Sequence, residues 1–253
     1  MKILTTLVLL LSSTAVFAQI DTTMIKNWKS YPIPTNKDTL LKYNWSHNWE
    51  VSIQNGDVKV TKETYPKKLP FSIQTRDATS EKFRGTPYTF KVDDGYLVSF
   101  FKGEFGGNVF WFSADGKDDY EIPGGYQVVQ FIKRDGKIYG IEGLAHLSLS
   151  SGSIIEFLKI NGKWTAKDYL RLPKAPHAVK LDSKGNFIIV TSPALLSVDR
   201  NANIKTLISE GIWYPYLYPS SLAIDKNIVY IGMRKGVYQY NLNTAQSAWL
   251  MPH

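Results

Sequence analysis

Short apolar segments alternate with tight polar turns along most of the chain, most clearly near the C-terminus. An apolar segment at 221–224 is followed by a polar turn at 225–227 and a second apolar segment at 228–232. A loop at 233–235, which carries a methionine, an arginine and a lysine, leads into a third segment that opens at Gly236. Apolar runs of this length between turn residues predict consecutive antiparallel β-strands.

The same unit recurs upstream at a nearly fixed interval. Asn-Gly and Asp-Gly between apolar runs are strong hairpin signals, and the second residues of successive turns are 39 to 49 residues apart. The turns are Asn55-Gly56, Asp94-Gly95, Asp135-Gly136, Lys184-Gly185 and Lys226-Asn227. A period of about 40–50 residues is typical of the blades of a β-propeller.

Five such units predict an all-β protein, a β-propeller of five blades. The first unit has the weakest pattern, so a six-bladed ring that uses the N-terminal segment is the alternative. No stretch shows the 3.6-residue period of a long amphipathic helix.

The first 18 residues have the features of a secretory signal peptide. One early cation, Lys2, precedes an apolar core, and Ala18 ends a run of small residues. A retained anchor helix is the alternative, although the apolar stretch is short for a membrane span. Without cysteine, the chain has no site for lipid attachment and no disulfides. We therefore expect a soluble exported protein, periplasmic or extracellular, with no transmembrane anchor once the signal peptide is removed.

The remainder divides into two parts. Residues 19–47 are polar and contain prolines, and we interpret them as an N-terminal arm that packs on the propeller through aromatic residues such as Trp45 and the adjacent Trp49. Residues 48–253 form the propeller domain, a single domain long enough to bury a substantial core.

The chain is basic, with 30 lysines and arginines against 22 acidic residues and a net charge of +8. Such a balance favours anionic partners, among them glycans, nucleic acid and lipid head groups. The lysines are dispersed, however, as is typical of a solvated surface. Because no basic stripe or nucleic-acid-binding motif is visible, we predict no nucleic-acid partner.

The propeller architecture predicts where binding groups should lie. Successive hairpins alternate between the two rims, so the loops after second strands share one rim with the connections between blades. These segments are longer and chemically richer than the tight turns, and such loops commonly carry function. The candidate ligand-binding residues on this rim are Glu104, Glu142, His146, His177, Trp213, Tyr216, Tyr218 and Arg234.

The histidines and Glu142 have two interpretations each. Glu142 and His146 are candidates for an acid/base or ligand pair, but a loop histidine such as His146 or His177 can equally hydrogen-bond the backbone. The HExxH and GxSxG motifs are absent from the sequence. We predict no metal site and no cofactor, and the sequence identifies no catalytic residue.

Arg234 and the aromatic candidates are similarly ambiguous. Arg234 could bind a carboxylate or phosphate through two parallel hydrogen bonds, or could pair with Glu104 or Glu142 of a neighbouring blade. The aromatic candidates could stack on sugar rings or could pack the long connection that carries them. They are Trp213, Tyr216 and Tyr218.

Several phrases resemble an uncharacterised family of exported bacterial proteins with a propeller-like fold. They are GGNVFWF at 106–112, GLAHL at 143–147, LPKAPHA at 172–178, YPSSLAID at 218–225 and YIGMRKG at 230–236. The resemblance implies the fold and export and supplies no reaction. More distantly, the chain is similar to five- and six-bladed propellers that bind or cleave sugars or open lactones with a metal, but their acidic catalytic sets are not visible here.

Three functional hypotheses follow. The leading one is a monomeric, non-catalytic binding protein of the cell envelope, whose ligand is a glycan, preferably anionic, or an envelope protein. The second is a glycoside hydrolase or lactonase, which needs two carboxylates about 5–10 Å apart or a metal held by several oxygen or nitrogen ligands. Glu104 and Glu142 are the acids available on the inferred rim. The third is a structural interaction protein, which predicts an exposed apolar patch on that face.

Overall fold

A computed structural model of the protein describes residues 22–64, 67–74, 80–147 and 149–252. The predicted signal peptide, residues 1–18, lies outside the described residues. The described chain is predominantly β-strand, which confirms the all-β prediction. Within it, no helix is long and apolar enough to cross a membrane.

The strands form five antiparallel sheets, numbered here in the order of their first inner strands. Sheet 1 contains, in spatial order, β1 (Thr22–Met24), β4 (Asp57–Lys62) and β3 (Trp49–Gln54). Sheet 2 contains β5 (Thr86–Val92), β6 (Gly95–Phe101), β7 (Gly107–Phe112) and β8 (Asp119–Ile122). Sheet 3 contains β9 (Val128–Arg134), β10 (Lys137–His146), β11 (Leu149–Ile160) and β12 (Lys163–Leu172).

The last two sheets complete the described chain. Sheet 4 contains β13 (Pro176–Leu181), β14 (Phe187–Thr191), β15 (Leu195–Val198) and β16 (Ile204–Ile208). Sheet 5 contains β17 (Ser221–Asp225), β18 (Ile228–Gly232), β19 (Val237–Asn241) and β20 (Ser247–Met251), with the N-terminal strand β2 (Lys29–Tyr31) at its outer edge. The helical segments are α1 (Lys37–Tyr43) and three 3-10 turns at Ile25–Asn27, Glu81–Phe83 and Gly103–Phe105.

Tight turns with a left-handed backbone join the first two strands of several sheets, as the sequence predicts. Asn55 and Gly56 have φ angles of 54° and 80°, and Asp135 and Gly136 have φ angles of 50° and 80°. Positive φ at both central residues is typical of a type I′ turn, whose twist matches that of the flanking strands.

The turn of sheet 2 differs from the prediction by one residue. Val92 pairs with Gly95, so the loop is Asp93-Asp94 and Gly95 is already the first residue of β6. A Cβ atom at Gly95 would lie 2.0 Å from the carbonyl oxygen of Phe112. Glycine is therefore required there because the backbones approach closely, and not because the residue forms the turn.

The inner strands of the five sheets, which are β3, β5, β9, β13 and β17, contact one another in series. β5 packs against β9, β9 against β13, β13 against β17, and β17 against β3. The arrangement is propeller-like, with each sheet extending outward from its inner strand. In the described part of the chain, β3 and β5 make no comparably close approach, so a closed ring of five blades stays a prediction.

Apolar clusters fill four of the interfaces between neighbouring sheets. Each cluster combines β-branched and aromatic side chains from two sheets, as expected where both faces of a sheet are packed. Their fully buried members include Val128 and Ile155 between sheets 2 and 3, Ile141 and Ile189 between sheets 3 and 4, Trp213 and Ile231 between sheets 4 and 5, and Val60 and Ala223 between sheets 5 and 1.

Sheets 1 and 2 are separated by a different kind of boundary, which we call the gap. The connection from β4 to β5 covers the outer face of sheet 2, where Phe71 and Phe83 pack on Phe100 and Phe112. No apolar cluster joins sheets 1 and 2 among the described residues. The facing side of sheet 1 is polar instead.

The N-terminal segment spans the two ends of the series. β1 pairs with β4 of sheet 1, and β2 pairs with β20 of sheet 5. Trp28 packs edge-to-face on Trp49 with ring centroids 4.9 Å apart, and its Nε1–H donates to Thr23 Oγ1 at 2.8 Å. Trp49 is buried, whereas Trp45 is 90% exposed, so Trp45 does not dock the arm as predicted. The buried Leu40 of α1 joins the cluster between sheets 4 and 5.

Candidate functional site

A large cavity of about 1330 Å³ lies at the rim that the sequence selected and reaches the inner strands of the sheets. All five sheets contribute to its walls, through the ends of their strands and the adjoining loops. Representative lining residues are Glu50 of sheet 1, Lys102 after β6, His146 of sheet 3, His177 of sheet 4 and Arg234 after β18. The lining combines carboxylates, cations, amides and aromatic rings, a composition suited to a polar ligand.

Glu104 and His146 are within hydrogen-bonding distance on this rim. The distance from His146 Nε2 to Glu104 Oε2 is 2.8 Å, and both side chains are a little under half exposed. Glu104 lies in the 3-10 turn after β6, where Gly103 adopts a φ of 62°, and His146 ends the long strand β10. His146 therefore pairs with Glu104 and not with Glu142, the partner that the sequence suggested.

Arg234 and Tyr218 form a second unit. The guanidinium carbon of Arg234 lies 4.4 Å from the centroid of the Tyr218 ring, a cation–π contact. Arg234 Nη1 also donates to Asn44 Oδ1, and its backbone N–H donates to Leu217 O at 2.9 Å. No ion pair joins Arg234 to Glu104 or Glu142 in the described part of the chain.

Tyr218 has a strained backbone. Its φ is 45°, in the left-handed region that bulky residues rarely adopt, and it precedes Pro219, which restricts it further. Its side chain is nevertheless about half exposed at the cavity wall. A strained residue that presents an exposed ring to a cavity is a candidate for ligand contact.

His177 occupies a β-bulge in the inner strand of sheet 4. Pro176 pairs with Thr191 and Ala178 pairs with Val190, so His177 is the extra residue, and it lines the cavity. Bulges often re-aim a side chain next to a functional site. Burial lowers the pKa of His177 to about 4, so the imidazole is neutral at pH 7.

Three of the predicted residues do not line the cavity. Glu142 lies within strand β10, where the backbone N–H of Gln127 donates to Glu142 Oε2 at 3.4 Å, and burial raises the pKa of this carboxyl. Trp213 is 1% exposed and donates its Nε1–H to Thr191 O at 3.1 Å in the core. Tyr216 packs against the same apolar cluster. Trp213 is thus a core residue and not a stacking platform.

The sequence analysis missed a polar cluster on the gap side of the same cavity. Asn48 and Glu50 alternate along the start of β3, and Glu63 follows β4 opposite Asn48, so the three side chains share one face of sheet 1. Asn48 Nδ2 donates to Glu63 Oε2 at 2.5 Å. Lys67 and Tyr88 face them, with Lys67 Nζ 4.5 Å from the Tyr88 ring centroid.

Burial and neighbouring charges shift the pKa values of Glu50 and Tyr88 in this cluster. Burial is the largest influence on the pKa of Glu50 and raises it; Lys67 opposes the shift and Glu63 adds to it. Burial also raises the pKa of the Tyr88 hydroxyl, with further increases from Glu63 and Glu50. The alternation of polar residues at 48, 50 and 52 and at 61 and 63 was the signal in the sequence that could have revealed this face.

Two other surface properties bear on function. Among the described residues, no three His, Cys, Asp or Glu side chains are grouped so that they could hold a metal ion. Several large apolar side chains are exposed, the most exposed being Leu147 at 94%, which follows the cavity-lining His146. Others are Trp45, Phe105, Leu149 and Tyr214.

No protein-family profile and no curated protein matches the chain. Among solved structures, it is similar to a protein of unknown function from Bacteroides thetaiotaomicron, with a TM-score of 0.52 and 13% identity over 79% of this chain. This likeness shows a shared fold alone, and the chain spans 60% of the length of that protein.

Weaker likenesses connect the chain to two enzymes. One is virginiamycin B lyase from Staphylococcus aureus, with a TM-score of 0.44, 16% identity, and coverage of 67% of this chain and 56% of that one. The other is a GH43 endo-arabinanase from Bacillus licheniformis, with a TM-score of 0.43, 11% identity, and coverage of 66% and 75%. Likenesses at this level say nothing about the activity of this chain.

Proposed function

We propose that the protein is an exported five-bladed β-propeller that binds an anionic oligosaccharide in the rim cavity. The observation that carries the proposal is the convergence of all five sheets on one cavity of about 1330 Å³, lined by charged, amide and aromatic side chains. The five sheets act as blades, and the N-terminal strands β1 and β2 tie the first blade to the last. Export rests on the signal-peptide pattern of residues 1–18.

The chemistry of the cavity wall favours a saccharide with acidic groups. Lys102, Lys180 and Arg234 supply cations, in keeping with the net charge of +8. The exposed ring of Tyr218 offers an apolar face for a sugar ring, and Arg234 holds that ring from one side. The pair of Glu104 and His146 adds hydrogen-bonding atoms for sugar hydroxyls on the opposite wall.

Thermal melting tests the proposal, with tetramers of galacturonic acid, alginate and hyaluronan as anionic probes and maltotetraose as the neutral control. A probe at 100 times its dissociation constant stabilises the fold by about 2.7 kcal/mol, which corresponds to a rise of roughly 5–10 °C for a domain of this size. We expect the rise with at least one uronic tetramer. If none of the three raises the melting temperature, the proposal is wrong.

Two pairs of variants locate the site. Tyr218→Ala and Arg234→Ala should abolish most of the shift, because they remove the ring and the cation that holds it. Tyr214→Ala is the matched control for the tyrosine: it lies in the same connection, is exposed, and is absent from the cavity wall. Arg84→Ala, on an exposed 3-10 turn, is the control for the arginine. Equal shifts in the site and control variants would place binding elsewhere.

A protein partner is the second candidate, because exposed apolar side chains occupy the same rim. Phe105, at 83% exposure, Leu147 and Leu149 would be the central contacts. This candidate predicts that Leu147→Ser and Leu149→Ser, which lie outside the cavity wall, leave saccharide binding unchanged and abolish recovery of a partner from envelope extracts. Loss of saccharide binding in these two variants would argue against separate roles.

A further inference from the structure

The gap differs chemically from the other boundaries between sheets. Four boundaries bury apolar side chains, whereas the side of sheet 1 that faces the gap carries Asn48, Glu50, Ser52, Thr61 and Glu63, all on the cavity wall. Apolar burial stabilises the other four boundaries, and sheet 1 lacks it on the side that faces the gap. Such departures are expected at functional sites.

The register of sheet 1 brings the two carboxylates together. Glu50 pairs with Thr61 across β3 and β4, and Glu63 lies two residues beyond Thr61, so Glu50 and Glu63 are diagonal neighbours on one face. Diagonal neighbours are about 7–8 Å apart at the backbone. The two side chains can then place their carboxyl groups within the roughly 6.5–9.5 Å that inverting glycoside-hydrolysing pairs use.

Asn48 fixes the position of Glu63. Its amide Nδ2 donates to Glu63 Oε2 at 2.5 Å, while the backbone N–H of Glu63 donates to Asn48 O at 2.9 Å. The amide Oδ1 of Asn48 is shielded from solvent and has no hydrogen-bond partner among the described residues. Leaving a buried acceptor unpaired is unfavourable, so this arrangement holds Glu63 in place at a cost to stability.

Glu50 is suited to a different role from Glu63. It is half-buried between sheet 1 and the connection that carries Lys67, and its carboxyl shows a raised pKa that stems mainly from burial. The groups that face it are Glu63 on its own sheet, Lys67 on the connection and Tyr88 on β5. Two carboxyl groups that share a cavity in unequal environments are the arrangement from which acid and base roles arise.

We propose that Glu50 and Glu63 are the general acid and general base that hydrolyse a glycosidic bond of the saccharide held in the cavity. This inference rests on the proposed function, since the rim must hold the sugar whose bond lies over the gap. It adds a reaction, and two catalytic residues, to a binding site.

The proposed hydrolysis consumes one water molecule. Glu50 donates its proton to the glycosidic oxygen as the bond between that oxygen and the anomeric carbon breaks, and the leaving sugar departs as an alcohol. Glu63 accepts a proton from water, whose oxygen forms the new bond to the anomeric carbon from the opposite face. The anomeric configuration is therefore inverted, and the proton gained by Glu63 restores Glu50 through solvent.

The test measures reducing ends released from the same three uronic tetramers, alongside the melting shift that reports binding. We expect release by the wild-type protein, with one oxygen from isotopically labelled water in each new reducing end. Glu50→Gln and Glu63→Gln should each lower the rate about 100-fold or more while the melting shift persists. Glu81→Gln, on an exposed turn, is the control and should keep full activity.

The variant Asn48→Ala tests whether Asn48 positions Glu63 or contacts the ligand directly. If Asn48 acts only by holding Glu63, this variant should lower kcat with little change in KM, because the bound sugar keeps its rim contacts. A rise in KM with unchanged kcat would instead assign Asn48 to ligand binding and would contradict its positioning role.

The outcomes distinguish the two proposals. A melting shift without release of reducing ends overturns hydrolysis and leaves the binding function intact. Release that persists at the wild-type rate in Glu50→Gln and Glu63→Gln also overturns the inference, since the reaction would then belong to other residues. Absence of both the shift and the release overturns the binding function as well.

Discussion

The boundary between sheets 4 and 5 and the sheet 1 side of the gap differ in composition. The boundary between sheets 4 and 5 is filled by Trp213 and Ile231, which are almost fully buried, and by their neighbours. The sheet 1 side of the gap is lined by carboxylates, amides and hydroxyls around open volume. The contrast shows that apolar packing joins neighbouring sheets at four boundaries, whereas the sheet 1 side of the gap carries polar groups that can meet a ligand.

Trp213→Ala should give the largest effect on stability. Trp213 is 1% exposed, packs edge-to-face on Tyr238, and donates its indole N–H to Thr191 O, so truncation leaves a cavity and an unpaired acceptor. We expect the free energy of unfolding to fall by about 3–5 kcal/mol, measured by urea denaturation. The neighbouring exposed Tyr214→Ala should change it by no more than about 0.5 kcal/mol. Similar losses in both variants would contradict an apolar boundary that carries stability.

His177→Gln should have an intermediate, pH-dependent effect. The pKa of His177 is lowered to about 4, from 6.5, because the folded protein removes much of its hydration. The unfolded chain therefore binds a proton that the folded protein does not, and stability falls as the pH drops from about 6.5 towards 4. The wild type should lose roughly 1–3 kcal/mol over this window.

Denaturation curves at several pH values check this prediction. The part of the loss that comes from His177 should be absent in His177→Gln and present in His47→Gln, which changes an exposed histidine. If the wild type and His177→Gln lose stability in parallel between pH 6.5 and 4, the imidazole is hydrated through the cavity and does not sense burial.

Glu104→Gln should have the smallest effect on stability. The pair of Glu104 and His146 is nearly half exposed, and even a fully charged exposed pair contributes only about 0–1 kcal/mol. We expect a change in the free energy of unfolding below about 0.5 kcal/mol, together with weaker binding of the uronic tetramer that raises the melting temperature most. A stability loss above about 2 kcal/mol would show that the pair holds the rim together, and would remove it from the ligand site.

The sequence predicted those features that depend on local periodicity. Recurrent tight turns located the sheets, and the alternation of rims placed Glu104, His146, His177, Tyr218 and Arg234 around one cavity. The closed five-bladed ring was not established by this reasoning, because closure depends on how β3 and β5 approach each other.

The failures have structural causes. Strand β10 continues to His146, so Glu142 lies inside a strand where a loop had been expected. The connection that carries Trp213 turns this side chain inward, since the apolar surfaces of sheets 4 and 5 offer more burial than the rim. The gap residues Glu50 and Glu63 were missed because strand alternation shows only which residues share a face. That this face lines a cavity depends on the position of β5, which is distant in the sequence.

The most direct test of the account compares the unfolding free energy of the double variant Glu50→Gln and Glu63→Gln with that of the wild type at pH 7. If the gap is polar because it binds a ligand, replacing its two neighbouring carboxyl groups leaves the fold as stable as before, or more stable by about 0.5–1 kcal/mol. A loss of more than about 2 kcal/mol would contradict the account, since the carboxylates would then stabilise the contact between sheets 1 and 2.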